Sequence, residues 1–476
     1  MPEPNQHLLS HALSGPLWRQ LVRLAIPAAS TALLETLVFL ADRLMLGRYS
    51  QQALASMQVQ GPVVWSLFSV FMGLCVGGVS VVARSIGARD TARAHAASRS
   101  VIRLALLAGL AIAVVGFVTT PTLVELVGPD SAQIRELSVS YLRWALVGFP
   151  GLFVATGAAM VLGASGDTKT PFWVALISNA LNLLLNQLLI FGSPTLHIPS
   201  LGVAGAAISS SLAFSVQALL LLRVMRRPAS QVCVIGFLQL PTQLGQQVTR
   251  EVLRLSYPVL LERSFFHLGF VAYAAVISRM GVLVMASNQA LITLESICFL
   301  SVQGFGVATS AVVGQAVGRG DLKQARRAGW LGAALAALAL SAAGAVIWLT
   351  APVTLGVFVP AGQSASALIS EALVAVPLLA LSQPFLAYAA VLSDALRGAG
   401  ATRLPVGVTL LGMLAVRLPL VLWLGLGLGW GTLGVWTASS ADWVLRALLC
   451  IALFASPLWT RGAVGRDTAE PAPNPS

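Results

Sequence analysis

Asp42 and Arg43 stand side by side in FLADRLMLG, a stretch otherwise suited to lipid. A carboxylate there is expensive, and ionisable groups inside membrane segments pair with one another, line cavities or relay protons. Glu35 lies seven residues earlier. Seven residues turn a helix through about 700°, which returns both acids to nearly one face, roughly 10 Å apart along the axis. Arg43 is about 100° further round, and adjacent helical residues do not face each other. A local ion pair is therefore a poor account of Asp42, and Arg43 is better placed to snorkel toward the headgroups. Two carboxylates on a stripe turned from lipid repel each other, and burial favours the protonated form. At least one is expected to cycle its proton near neutral pH.

A second polar stripe consists of amides. Asn179, Asn182 and Asn186 in SNALNLLLNQLLIF recur at i, i+3 and i+7, on one helical face. Asparagine is costly against lipid, so this face should line a cavity or meet another span; amide bonding between helices is the structural alternative. Ser210, in a run of three serines, is a weaker signal of the same kind. The second half of the chain offers Glu262 beside Arg263, Glu295 in NQALITLESICF, and Asp394. Gln289 and Glu295 are six apart and so not on one face. Glu295, Asn179, Gln58 and Gln289 are the candidates to line a substrate cleft.

Such side chains need spans to hold them. The 476 residues are 57% hydrophobic and 10% charged, with a mean hydropathy of +0.84. Soluble domains carry about a quarter charged residues, so composition points to an integral membrane protein. Apolar stretches of spanning length, about 20 residues, begin near Leu21, Ala53, Val101, Leu137, Pro171, Leu201, Val252, Met285, Trp330, Ile369, Leu404 and Thr432, twelve in all. The alternation of a lipid-facing barrel is absent, so the spans are helices and the fold is all-α. The four cysteines are scattered without a CxxC and read as small core residues. No cleavable signal peptide is expected, since the first turns are polar and carry Pro2, Pro4 and Pro16.

The net charge of +12 is distributed by topology. Arg84, Arg89, Arg93, Arg99 and Arg103 fall between spans 2 and 3. Arg223, Arg226, Arg227, Arg250 and Arg254 lie between spans 6 and 7. Arg319, Lys323, Arg326 and Arg327 follow span 8, and Arg397 and Arg403 follow span 10. All these loops share a side with both termini, which the positive-inside rule makes cytoplasmic. No nucleic-acid partner is implied.

The chain repeats itself. Leu24 and Pro27 correspond to Leu255 and Pro258 at a shift of 231, as do Gln58 to Gln289, Gly73 to Gly304, and Gly87 and Asp90 to Gly318 and Asp321. The shift becomes 234 for Pro150 to Pro384 and for LGASGDTKTP to LRGAGATRLP, and 229 for Gly202 and Gly205 to Gly431 and Gly434. Each half then has six spans, an even number, so the halves are parallel repeats. The expected organisation is an N-terminal six-helix bundle over 15–225, a cytoplasmic connector over 226–250 and a C-terminal six-helix bundle over 251–458, around a central cleft. A disordered cytoplasmic tail should occupy 459–476. Gly87 and Gly318 read as helix-ending glycines, with Asp90 and Asp321 capping a short amphipathic helix after each. Pro27, Pro62, Pro150, Pro377, Pro384 and Pro419 sit in or beside spans and can kink them.

Enzyme chemistry has little support. HExxH, GxSxG and paired CxxC motifs are lacking, and GASGDTKT lacks the spacing of a phosphate loop. With no ATP site, energy must come from an ion gradient, and no cofactor or metal is expected beyond a proton or sodium ion as coupling ion.

Taken together, the motifs resemble the multidrug and toxic compound extrusion (MATE) family over about residues 15–455. Pro27 followed by Asp42 in ADRLMLG is similar to the family's V-D-T-x-M-x-G; GQAVGRGD, LRGAGATRLP and NLLLN followed by LGVAGAAIS also match in order. The resemblance implies export of bulky, often cationic compounds in exchange for protons or sodium ions. It puts Asp42 on the first-helix aspartate that binds the coupling cation and Asn182 and Asn186 on the fifth-helix pair. The second member of that pair is commonly aspartate. Ser210 falls where the sixth helix often has threonine. In a proton-driven cycle, protonation of Asp42 would neutralise the pocket and let helix 1 bend at or above Pro27. Glu35 matches no family hallmark and is the candidate to supply the missing acid. Glu262 and Asp394 do not register with the C-terminal carboxylates of the sodium-coupled branch, so the resemblance leans to proton coupling, similar to the DinF-like branch.

The expected protein is thus a monomeric, proton-coupled antiporter of small-molecule drugs or toxic metabolites in the lipid bilayer of the plasma membrane. The alternative is a related flippase or exporter of lipid-linked or polysaccharide precursors. It would need a strongly basic cavity, whereas mid-span cations read from the sequence are limited to about Arg263 and Arg417.

Overall fold

The computed structural model describes residues 15–127, 131–227, 230–356 and 365–460. Among them, 11 helices are long and apolar enough to cross a membrane, and one bent pair brings the spans to 12. The protein is a multi-pass membrane protein. Its helices are α1 (Leu17–Tyr49), α2 (Gln51–Gly87), α3 (Thr91–Val127), α4 (Ala132–Val147), α5 (Phe149–Ser165), α6 (Lys169–Phe191) and α7 (Gly202–Met225). There follow α8 (Gln243–Ser278), α9 (Val282–Gly318), α10 (Leu322–Gly356), α11 (Ala365–Leu373), α12 (Val376–Gly398), α13 (Arg403–Gly427) and α14 (Gly431–Ala455).

Proline explains the irregular spans. The fourth is α4 with α5, bent by 50° at Gly148. Pro150 lacks the N–H that would continue the ladder to residue 146. The tenth span, α12, follows the short helix α11 and carries Pro377 in its first turn. Within α13 the turns widen over Leu411–Arg417 and Val421–Gly427, on either side of Pro419. Such widening is how a helix absorbs an interrupted bond ladder.

The chain packs as two units whose boundaries differ from the expected bundles. One is Ser30–Tyr257; the other joins residues 15–29 to the chain from Pro258 onward. The first turns of α1 therefore belong to the second unit, and those of α8 to the first. Each exchanged segment needs a bare backbone beneath it. A Cβ on Gly304 would stand 2.6 Å from Ala29 Cα, and one on Gly77 would stand 2.8 Å from the Ser256 nitrogen. Ser256 also donates to the Leu74 carbonyl at 2.5 Å. Glu251 accepts from Arg84 at 2.9 Å and Arg93 at 2.5 Å. The connector is not a free loop: Val232, Val234 and Phe237 are buried, and Arg103 donates to the carbonyls of Phe237 and Gln239.

The paired loops correct two expectations. Asp90 and Asp321 do cap helices, accepting from the Arg93 and Gln324 nitrogens at 2.9 and 2.8 Å. What they cap is no short helix but the full-length spans α3 and α10. The left-handed residues that end α2 and α9 are Arg89 (φ 60°) and Gly320 (φ 77°), two positions past the glycines singled out. The carboxyl-terminal tail starts later than 459, because Trp459 is buried and stacks on Phe454. Residues 461–476 lie outside the described residues.

Candidate functional site

Three helices of the Ser30–Tyr257 unit bring four polar side chains into one chain. Asn182 and Asn186 lie one turn apart on α6, so their amides share a face. Asn186 Nδ2 donates to Asp42 Oδ1 on α1 at 2.5 Å and to Asn182 Oδ1 at 3.1 Å. Asn182 Nδ2 donates to Ser210 Oγ on α7 at 3.2 Å. Asp42 and Asn182 are 9% and 3% exposed, and Asn186 is fully enclosed. Asp42 is tied to Asn186 of α6, while its neighbour Arg43 lies about 100° round α1.

An apolar layer closes one end of this chain. Leu46 stands one turn past Asp42 and Ile190 one turn past Asn186, while Ala206 stands one turn before Ser210. All three belong to a buried cluster with Ala53, Met57 and Val203. Tyr141 of α4 packs against that cluster, within Coulombic reach of Asp42. A lone tyrosine in an apolar span carried no signal in the sequence.

The chain is arranged to hold a carboxylate and its acid. As the charged form, Asp42 takes the Asn186 N–H, a charge-assisted bond of the stronger class. Asn186 Oδ1 is buried with no partner among the described residues. Rotation of the amide would offer that oxygen to a protonated Asp42, so one residue can serve both states. Asn179, a turn before Asn182, is buried with its Nδ2 also unmatched, and extends the amide file.

Other candidates lie apart from this chain. Glu35 is exposed and makes no hydrogen bond to a described residue. The shared-face argument therefore does not bring it into contact with Asp42, two turns away. Pro27 is in the part of α1 that packs with the other unit. Nothing is described of the Gln58 side chain. In the second unit, Gln289 is exposed on α9, and Glu295 is half-buried with Oε1 unmatched.

That second unit holds an arginine-rich cluster. Arg397 Nη2 contacts both Glu262 oxygens at 2.8 and 2.9 Å, and its Nη1 contacts Asp394 Oδ1 at 2.8 Å. Thr409 donates to Glu262 Oε1 at 2.6 Å. Fully enclosed Asp442 lies between Arg417, at 2.8 Å, and Arg446, whose Nε and Nη2 reach its two oxygens at 2.5 and 2.9 Å. Mid-span cations are thus not limited to Arg263 and Arg417: Arg397 of α12 and Arg446 of α14 join them, buried against Glu262 and Asp442. The Asp442–Arg446 spacing of i, i+4 was the readable signal, being a self-neutralised pair on one helix face. Glu262 and Asp394 were read separately; here both converge on a tethered guanidinium.

A family model described as MatE matches residues 27–188 and 258–423. The probable multidrug resistance protein NorM of Thermotoga maritima is 27% identical over 94% of this chain and 94% of its own length. That of Deinococcus radiodurans is 30% identical over 92% of this chain and 94% of its own. Among solved structures, a MOP superfamily transporter from Pyrococcus furiosus, described as having a binding pocket of reverse polarity, superposes with a TM-score of 0.85 at 21% identity. The match covers 95% of this chain and 98% of that one. An outward-facing MATE family transporter gives 0.84 at 21% identity, over 94% and 96%. These structures share the fold of two six-helix repeats.

Proposed function

The chain belongs to the MatE family, and from that premise we propose that it is a secondary active multidrug efflux transporter of the plasma membrane. It exchanges bulky, often cationic organic compounds for protons by alternating access, with both termini in the cytoplasm. The observation that carries the reading is the enclosed chain from Asp42 through Asn186 and Asn182 to Ser210. A buried carboxylate held by one amide and walled by apolar side chains has a use if its charge changes during the cycle.

Protonation of Asp42 removes the charge that the Asn186 N–H serves and calls for the amide to turn. α1 then loses its tie to α6 at one level. Because α1 contributes residues to both packing units, dividing close to Pro27, a change at Asp42 reaches each of them. Coupling through a sodium ion at Glu262 and Asp394 is disfavoured, since the Arg397 guanidinium already stands between those carboxylates.

The test is uptake of the cationic dye ethidium into proteoliposomes under an imposed pH or sodium gradient. Wild type should respond to the pH gradient alone and Asp42→Asn to neither. Acceleration of wild type by sodium alone would reverse the ion assignment.

One observation favours the second reading, export of lipid-linked or polysaccharide precursors. Four arginines stand in one unit, Arg263, Arg397, Arg417 and Arg446, where the sequence offered about two mid-span cations; three are paired with carboxylates and Arg263 is not. It predicts translocation of a fluorescent lipid-linked sugar in place of ethidium.

A further inference from the structure

Three of the four clustered arginines of the second unit hydrogen-bond or ion-pair with carboxylates: Arg397 with Glu262 and Asp394, and Arg417 and Arg446 with Asp442. Arg263 does not. It follows Glu262 on α8, about 100° round the helix, so it cannot share its neighbour's contacts. Its Nε is buried without an acceptor, and none of its nitrogens bonds a described residue. A guanidinium has five N–H donors in a fixed fork, and leaving buried donors unmatched is costly. Arg263 instead lines a cavity of about 120 Å³ within the unit. Gln303 lines it too, half-buried and with no hydrogen bond to a described residue. Phe266, Phe299 and Trp443 supply apolar walls.

The cavity also carries Glu262, Asp394, Arg397 and Arg446. Both acids stand within Coulombic reach of Arg263, but their hydrogen bonds go to Arg397 and Thr409, which leaves the Arg263 fork as the group with donors to spare. Asp442 and Arg417, which do not line the cavity, are paired with one another, and Glu295 lies within Coulombic reach of Arg417. A planar two-oxygen acceptor matches the guanidinium fork, and a cation does not.

We propose that this cavity is a binding site for a small oxyanion group, a carboxylate or phosphate, gripped by Arg263 with the Gln303 amide beside it. The group belongs either to the transported compound or to the headgroup of an anionic lipid. This deepens the transport reading by naming an acidic substituent as what the second unit recognises. The site is defined by equilibrium binding without any gradient, so its failure and a failure of proton coupling at Asp42 are separate results.

The experiment uses the full chain in phosphatidylcholine nanodiscs, with 1-naphthoic acid, 1-naphthyl phosphate and the methyl ester of the acid as probes, read by quenching of tryptophan fluorescence. The acid and the phosphate should bind at least tenfold more tightly than the ester. Arg263→Gln should erase that difference while ester binding stays, and Arg263→Lys should restore part of it. Equal binding of acid and ester by wild type, or discrimination that survives Arg263→Gln, overturns the proposal. If Arg263→Gln does not fold, loss of discrimination in Arg263→Lys to less than half of wild type supports the fork, and full retention overturns it. Repeating the titration in phosphatidylglycerol nanodiscs separates the sources. A several-fold weaker acid affinity there identifies a lipid headgroup at the site, and an unchanged affinity identifies the substrate.

Discussion

Asn186, fully enclosed on α6, holds its Nδ2 2.5 Å from Asp42 Oδ1, a residue 144 positions earlier in the chain. The same nitrogen also serves Asn182 Oδ1 at 3.1 Å, so one amide ties the acid of α1 to the polar face of α6.

That tie should matter more to transport than to folding. A hydrogen bond to a charged group contributes about 1.5–3 kcal/mol, or roughly tenfold or more in an equilibrium. Asn186→Leu is expected to lower pH-driven ethidium transport at least tenfold, measured as initial rates in proteoliposomes. A rate near wild type would remove Asn186 from the mechanism.

Effects should fade along the chain of bonds. Ser210 gives one neutral bond to Asn182 at 3.2 Å, in the class worth about 0.5–1.5 kcal/mol. Ser210→Ala should therefore slow transport by less than tenfold, and by less than Asn186→Leu does. The opposite order in the same assay would mean that Asp42 is not the head of the chain.

In the second unit, Arg397→Leu strands two carboxylates at once. Breaking a buried ion pair from one side costs about 3–5 kcal/mol, so the thermal unfolding midpoint in detergent should fall by several degrees. Arg263→Gln removes a cation with no carboxylate contact and should leave the midpoint near wild type. Equal losses in the two variants would show that Arg263 is as firmly paired as Arg397.

The exchanged segment of α1 makes a steric prediction. Gly304→Ala puts a Cβ into the Ala29 backbone, whereas the Cβ of Gly407→Ala on α13 meets nothing within 4 Å. The first should reduce the yield of monodisperse protein and the second should not, as size-exclusion chromatography will read. Normal yield from both would mean that α1 is free to move off Gly304.

The acid and amide stripes were legible because lipid makes polar residues rare. Three asparagines at helical spacing in an apolar run can hardly be accidental, and Asp42, Asn182, Asn186 and Ser210 do meet. Helical arithmetic fixes the direction of a side chain but not what covers it at each level, which is why Glu35 shares a face with Asp42 and yet stays exposed. The six-plus-six spans followed from hydropathy and the repeat. The exchange of the first turns of α1 and α8 did not, since it depends on close packing over Gly304 and Gly77. The arginine cluster was legible only in pieces. Glu262 and Arg397 are 135 residues apart, and nothing local in either segment names the other.

Proton movement itself is the most direct reading of the central claim, that Asp42 carries the coupling proton. Proteoliposomes with an acidic interior and a trapped pH-sensitive dye are given external ethidium in sodium-free buffer. Wild type should alkalinise the interior as ethidium enters, and Asp42→Asn should leave the interior pH unchanged. Alkalinisation by Asp42→Asn at the wild-type rate would contradict the account.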